Sequence, residues 1–236
     1  QALIMLGFFL QKMSKIKKNI KDIYNRLLKQ SACNLDIKLL VVSKSQSVKN
    51  IEEAYDAGQR LFGENYLQEA LEKIQQINKP KIEWHFIGPI QSNKCKLIAE
   101  NFSWVQSIDR IKVASRINEY RESMPPINVC IQINISNELS KSGVQPHNLK
   151  AFINEMKSFR NLKLRGIMSI PSNTNSPDKL SEEFMELRKL YEEIKFSDPD
   201  IDTLSMGMSN DYLIAVKYGA TLIRVGSGIF GSRELI

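Results

Sequence analysis

The sequence predicts an α/β protein, a single TIM-type (β/α)8 barrel with an extra amphipathic helix at its N-terminus. The chain has 236 residues, close to the ~250 that are typical of such a barrel. Short β-branched runs alternate with helical stretches eight times, which is typical of parallel strand pairing. The first strand runs into Ser43-Lys44-Ser45 without a glycine, whereas an open doubly wound sheet usually has a Gly-rich phosphate turn there. We therefore favour the closed barrel over the open sheet.

Eight strands are predicted from short runs rich in β-branched and other apolar residues. They are Ile37–Val42, Arg60–Phe62, Ile82–Ile87, Trp104–Gln106, Ile127–Ile135, Leu164–Met168, a weak strand that ends at Leu204, and Thr221–Val225. The stretches between them repeat apolar residues at helical spacing. These helices are Val48–Ala57, Leu67–Ile77, Asn93–Ala99, Ile111–Tyr120, Leu149–Phe159, Leu180–Ile194 and Tyr212–Tyr218.

The N-terminal segment divides at Met13. Residues 1–12 are almost wholly apolar, but the run is too short to span a bilayer and no basic region precedes it, as a signal peptide would require. We interpret residues 1–12 as an apolar extension that need not be native. Residues 13–236 are then one barrel domain.

A basic helix is predicted to follow the extension. Residues 1–30 contain seven Lys and Arg residues against one Asp, so they carry +6 of the net charge of +7. Apolar residues recur every three or four positions from Met13 to Leu27. We expect this stripe to pack on the barrel and the lysines to be solvated. The alternative is a basic helix that binds a membrane or nucleic acid; we expect neither partner, and we expect a monomer.

Composition excludes several classes of protein. Apolar residues make up 42% and charged residues 25% of the chain, which is ordinary for a folded domain and not for a disordered one. Three cysteines without a Cys-x-x-Cys pair indicate reduced thiols, and therefore the cytoplasm. With only two histidines, no metal centre is expected.

Lys44 is the first candidate functional residue, because it follows the apolar run of the first strand. In a barrel the chemistry gathers where strands run into the following loops. Burial disfavours an ammonium group, and a neutral amine can attack an aldehyde to form a Schiff base. The alternative is a lysine whose stem packs while its charged end stays in water.

Two loops near the C-terminus predict a phosphate site. Ser205–Ser209 leads into a helix, and Arg224 is followed by Gly226-Ser227-Gly228. Helix starts and glycine turns offer backbone N–H groups to anions, and barrels commonly bind phosphate after strands seven and eight. The alternative is a pair of ordinary turns with capping serines. A lysine after strand one beside such a phosphate site predicts that the ligand is pyridoxal 5′-phosphate (PLP).

The chain resembles the pyridoxal phosphate homeostasis protein family, relatives of the N-terminal barrel of alanine racemase. The resemblance covers about residues 14–233. The matching stretches are LLVVSKSQSV at 39–48, AGQRLFGENYLQEALEKI at 57–74, IEWHFIGPIQSNK at 82–94, QSIDR at 106–110, QINISNELSKSGV at 132–144, GIMSIP at 166–171, LSMGMSNDYLIAV at 204–216 and IRVGSGIFGSR at 223–233.

The resemblance implies a set of cofactor-binding residues. Lys44 would hold PLP covalently as a Schiff base, and Arg224 would face the pyridine nitrogen. The other implied positions contact the phosphate or line the pocket, and they are Asn65, His85, Asn134, Met206, Ser209, Gly226 and Ser227.

The function implied is intracellular PLP homeostasis, with transient delivery of PLP to apo-enzymes and without robust catalysis. A cation beside the pyridine nitrogen disfavours its protonation, and an unprotonated ring is a poor electron sink. The alternative is a PLP-dependent, racemase-like enzyme that supplies its second base from within the barrel, with His85 or Tyr66 as candidates.

Overall fold

The fold is a closed eight-stranded parallel barrel. A computed structural model describes residues 14–30, 36–136, 138, 141–174 and 176–231; the predicted extension, residues 1–12, lies outside the described residues. The strands are β1 Lys38–Val42, β2 Leu61–Glu64, β3 Glu83–Phe86, β4 Trp104–Ile108, β5 Ile127–Ile133, β6 Leu162–Ser169, β7 Thr203–Ser205 and β8 Leu222–Val225. Each strand pairs in parallel with the next, and β8 pairs with β1. The predicted fold class is confirmed.

In the described part of the chain, helices lie on the outside of the barrel between successive strands, before β1 and after β8. They are α1 Lys15–Gln30, α2 Val48–Asp56, α3 Leu67–Gln76, α4 Cys95–Asn101, α5 Ile111–Tyr120, α6 Leu149–Met156, α7 Pro177–Ser197, α8 Tyr212–Lys217 and α9 Ser227–Phe230. Short 3-10 turns precede α4 and α6. No helix in the described part of the chain combines the length and apolar character needed to cross a bilayer.

Three elements are clearly longer than the sequence predicts: β4, β6, which spans Leu162–Ser169, and α7. The lengths of β4 and α7 have local causes. Strand β4 continues to Ile108 because the hydroxyl of Ser107 donates a hydrogen bond to the Gly88 carbonyl at 2.6 Å, so this polar residue is satisfied inside the sheet. Helix α7 begins at Pro177 rather than near Leu180, because Ser176 caps its first turn and proline suits a first helical position.

Helix α1 packs on the barrel along its predicted apolar stripe. The stripe residues Ile16, Ile20, Ile23 and Leu27 are buried. Asn19 lies on the same helix and donates a side-chain hydrogen bond to the Ile229 carbonyl in α9 at 2.7 Å. Because α9 follows β8 directly, α1 covers the segment in which the last strand ends.

The barrel has an inner and an outer layer of side chains. Trp104, Cys130 and Met168 form a small inner cluster. Their strand neighbours, such as Val105 and Val129, belong to the larger core between the strands and the helices. The alternation follows from strand geometry, in which successive side chains point to opposite faces. The inner face can therefore present chosen side chains to one end of the barrel.

Candidate functional site

A cavity of about 690 Å³ opens at the carboxyl ends of the strands, which is the end where barrels carry their chemistry. Its volume is within the range of small-molecule sites. Six of the nine residues predicted as cofactor-binding line it, and they are Lys44, Asn65, Ser209, Arg224, Gly226 and Ser227.

The pairing of β8 with β1 brings the two ends of the predicted site together. Leu40 pairs with Arg224 and Val41 with Val225. Lys44 lies a few residues beyond this register, at the same end of the barrel as Gly226. A Cβ atom at position 226 would lie 3.1 Å from the carbonyl oxygen of Val42, so the end of β1 and the loop after β8 approach too closely for an ordinary side chain to fit without adjustment.

A cradle of backbone N–H groups forms where the loop after β7 meets α9. The hydroxyl of Ser209 accepts hydrogen bonds from the N–H groups of Gly226 at 3.4 Å and Gly228 at 3.2 Å. A Cβ atom at position 228 would lie 2.9 Å from the side chain of Val225. Glycine at this position therefore lets the backbone turn tightly and keeps its N–H groups directed at one oxygen atom.

The helix predicted to follow Ser205–Ser209 begins at Tyr212, with Asp211 at its N-cap. The Asp211 carboxylate accepts a hydrogen bond from the N–H of Met208. Burial raises the pKa of Asp211, while that hydrogen bond and the charge of Arg224 oppose the rise. Asp211 thus closes the turn that carries Ser209 to the cavity.

Arg224 is a buried cation at the floor of the cavity, 4% exposed. Its Nη1 donates to the Ser205 hydroxyl and its Nη2 to the Ser169 carbonyl, both at 2.8 Å. Burial lowers the pKa of Arg224 to about 10, so the guanidinium remains charged at neutral pH. Two strands, β6 and β7, therefore fix the orientation of a charge that β8 supplies.

A chain of hydrogen bonds continues from Arg224 through the inside of the barrel. Ser205 donates from its hydroxyl to Gln106 Oε1 at 2.7 Å, and Gln106 Nε2 lies 2.9 Å from His85 Nδ1. The Gln106 amide can only donate at that end, so Nδ1 of His85 accepts and its proton resides on Nε2. The His85 ring stacks on Trp104 at 5.0 Å.

Three predicted site residues do not line the cavity. His85 lies deeper in the barrel, at the far end of the hydrogen-bonded chain. Asn134 is buried and donates to the carbonyls of Glu138 and Lys141, so it shapes the loop after β5. Met206 is fully buried in the outer core.

The sequence did not assign Gln106 to the site and placed Ser205 only in the predicted phosphate loop, whereas both hold Arg224 in place directly or through one neighbour. The available signal was polarity inside predicted strands, because Gln106 lies within WVQSI and Ser205 ends TLS. A buried polar residue needs a partner, but the sequence does not say which one. Gln106 and Ser205 meet only because β4 and β7 face each other across the barrel.

Comparison with known sequences identifies the relatives of the chain. The family profile described as alanine racemase, N-terminal domain, matches residues 12–234. A protein of Pasteurella multocida named pyridoxal phosphate homeostasis protein is 45% identical over 229 residues, covering 95% of this chain and 97% of that protein.

Two solved structures are similar in fold. PipY of Synechococcus elongatus, whose structure has PLP bound, is 33% identical with a TM-score of 0.78, and the match covers 89% of this chain and 100% of PipY. Alanine racemase of Corynebacterium glutamicum is 15% identical with a TM-score of 0.72, covering 94% of this chain and 62% of the racemase. At that identity the second likeness shows the fold alone.

The buried His85 should make stability depend on pH. Burial, assisted by the charge of Lys38, lowers the pKa of His85 from 6.5 to about 3. Between these values the unfolded chain binds a proton that the folded protein does not, so acidification destabilises the fold below pH 6.5. We expect His85→Gln to lose less unfolding free energy from pH 6.5 to 4, by about 1 kcal/mol per pH unit.

Urea unfolding at several pH values measures this difference. His147→Gln, at an exposed position on the 3-10 turn before α6, controls for the loss of a histidine as such. An unchanged pH slope in His85→Gln would contradict a neutral, buried His85.

Proposed function

This chain belongs to the pyridoxal phosphate homeostasis protein family, within the larger family of alanine racemase N-terminal domains, and we propose that it binds PLP covalently at Lys44 and serves its homeostasis. The observation that carries the proposal is the meeting of three features in one cavity. Lys44 supplies an amine, Arg224 a buried cation, and the Ser209–Gly228 cradle a hydroxyl that two backbone N–H groups hold in place. These match the aldehyde, the ring nitrogen and the phosphate of PLP respectively.

The residues present fit the cofactor on independent grounds. A Cβ atom at Gly228 would lie 2.9 Å from the Val225 side chain and 3.7 Å from the Ser209 hydroxyl, so glycine fits this turn, and glycine is the residue that lets a backbone approach an anion closely. Asn65 lines the same cavity, and its Oδ1 is buried without a hydrogen-bond partner among the described residues. Such an acceptor is what the hydroxyl of a bound ligand would satisfy.

The environment of Arg224 supports a holder of PLP rather than an active enzyme. When bound, PLP supplies an electron sink for reactions at the α-carbon of amino acids. A guanidinium beside the ring nitrogen keeps that nitrogen unprotonated, because it can only donate hydrogen bonds. Since the hydrogen bonds to Ser169 and Ser205 fix Arg224, the charge cannot easily turn away.

Neither candidate second base stands at the cavity. His85 is buried in the barrel interior, and burial lowers its pKa to about 3, so it is a weak base and lies away from the cavity lining. Tyr66 is 52% exposed and does not line the cavity either. Both observations favour the carrier over the racemase-like alternative.

The proposed role includes transient release of PLP to apo-enzymes in the cytoplasm, with this protein acting as a monomer. A cavity open at the barrel end gives the cofactor a route in and out. These three points stay predictions.

Reduction with borohydride tests covalent attachment at Lys44. We expect the purified protein, loaded with PLP, to absorb in the visible range and to lose that absorbance on reduction. Peptide mass mapping should then place the pyridoxyl group on Lys44, and the Lys44→Ala protein should carry almost no pyridoxyl group at all. Lys94→Ala, altered at an exposed lysine of the 3-10 turn before α4, is the control. Modification mainly at Lys94 or Lys141 would refute the assignment.

The phosphate cradle should contribute most of the affinity that depends on the phosphate. Ser209→Ala and Ser227→Ala should each weaken PLP binding by about 1.5–3 kcal/mol, the value of one hydrogen bond to a charged group. Pyridoxal, which lacks the phosphate, is the comparison: its affinity for the two variants, measured by equilibrium titration, should differ little from its affinity for the wild type. If both variants bind PLP with wild-type affinity, the phosphate lies elsewhere.

Reversing the charge at position 224 should speed up proton exchange at the α-carbon of an amino acid. Arg224→Glu favours a protonated ring, so exchange of the alanine α-proton into deuterated water should rise at least about tenfold, corrected for occupancy. PLP binding should fall, because a charge is inverted beside a buried site. Arg224→Lys keeps the charge and is the control. Fast exchange by the wild type, comparable to that of a dedicated racemase, would instead support an enzyme.

A further inference from the structure

An ionic cluster lies beneath the turn that carries Lys44, and it is buried except at Glu69, whose side chain is 29% exposed. It consists of Lys73, Glu64 and Glu69, and we call it the Lys73 cluster. Lys73 and Glu69 lie one turn apart on α3, and Glu64 ends β2. The Lys73 side chain is only 6% exposed and that of Glu64 is fully buried. None of the three residues lines the cavity.

Lys73 binds three acceptors at once. Its Nζ donates to the Ser43 carbonyl at 2.7 Å, to Glu64 Oε1 at 2.9 Å and to Glu69 Oε1. An ammonium group has three N–H bonds, so each of them can have a partner. One of these partners is the backbone of the residue directly before Lys44.

The two carboxylates bind the same turn from either side of Lys44. Ser43 donates from its hydroxyl to Glu64 Oε1 at 2.6 Å. The N–H of Ser45, directly after Lys44, donates to Glu69 Oε1 at 2.6 Å. Ser45 has φ of +60°, a left-handed conformation that non-glycine residues seldom adopt. The cluster therefore holds a turn that the chain would not prefer by itself.

Stability alone is a poor explanation for the cluster. Burial raises the pKa of Glu64, against the charge of Lys73 and the hydrogen bonds of Ser43 and Lys73. Glu64 Oε2 is buried and has no hydrogen-bond partner among the described residues, which opposes folding. Buried ion pairs are often no more stabilising than well-packed apolar residues of the same volume. What the cluster does provide is a fixed backbone on both sides of Lys44.

We propose that Glu69 and Lys73 are positioning residues that direct Lys44 at the aldehyde of PLP. This inference rests on the proposed function and assigns phosphate binding and bond formation at Lys44 to different residues. The cradle around Ser209 holds the phosphate, and the Lys73 cluster controls how readily Lys44 forms its bond. Damage to the cluster should therefore slow attachment while the non-covalent part of binding is kept.

Two ligands separate these contributions: PLP itself, and 4′-deoxypyridoxine 5′-phosphate, which has the ring and phosphate but no aldehyde. We expect Glu69→Ala to slow the attachment of PLP to the cofactor-free protein about tenfold, equivalent to the loss of one charge-assisted hydrogen bond. The rate is followed by absorbance, and the product is fixed with borohydride. Affinity for the deoxy analogue should stay at the wild-type value.

Two further variants sharpen the test. Glu69→Gln keeps an acceptor for the Ser45 N–H and should attach PLP at close to the wild-type rate. Glu72→Ala removes an exposed carboxylate from the same helix and should have no effect. Alanine is favourable in helices, so neither alanine variant should disturb α3 itself.

The outcomes are distinct. If Glu69→Ala lowers the affinity for the deoxy analogue as much as it lowers the rate of PLP attachment, the role of Glu69 is merely structural and the inference is overturned. It is also overturned if Glu69→Ala attaches PLP at the wild-type rate. If the wild type itself never bonds PLP at Lys44, the proposed function fails, and this inference fails with it.

Discussion

Closure of the barrel between β8 and β1 is the constraint on which the site depends. The register places Leu40 opposite Arg224 and Val41 opposite Val225. Residues almost two hundred positions apart are thereby held at adjacent strand ends by backbone hydrogen bonds. Without this pairing the amine of Lys44 and the cradle around Gly226 would share no cavity. Helix α1 packs close to the same strand pair, since the Asn19 side chain donates a hydrogen bond to the carbonyl of Ile229 just beyond β8.

The barrel interior is used to fix one charge. Arg224 is buried, and its hydrogen bonds run to Ser205 and Ser169, then through Gln106 to His85. A buried charge is costly unless it is bonded, so the polar residues of β4, β6 and β7 are the condition for having an arginine there. In return the guanidinium has one orientation. A guanidinium held in one orientation is what the proposed position of Arg224 beside the ring nitrogen of PLP requires.

Two sets of residues fix the two sides of the cavity: the Lys73 cluster, and the interior chain of hydrogen bonds that runs from Arg224 through Ser205 and Gln106 to His85. The interior chain fixes Arg224 from within the barrel, whereas the cluster fixes the backbone beside Lys44 from α3 and β2. Of these residues only Arg224 lines the cavity, and the others lie behind the residues that do. Reactive groups placed by packed secondary structure in this way are held more accurately than groups on unsupported loops.

The sequence by itself determined the order and type of the elements, since apolar periodicity and strand–helix alternation are local properties. All eight strands lie where their runs predict them, and helix α5, Ile111–Tyr120, has the predicted bounds. Motifs at strand ends also indicated Lys44 and Gly226, because a loop after a parallel strand has only one end of the sheet to face. Tertiary structure alone decided which polar residues meet. Gln106 finds Ser205 across the barrel, and Lys73 finds the carbonyl of Ser43, because strand register and helix packing set distances that no local pattern encodes.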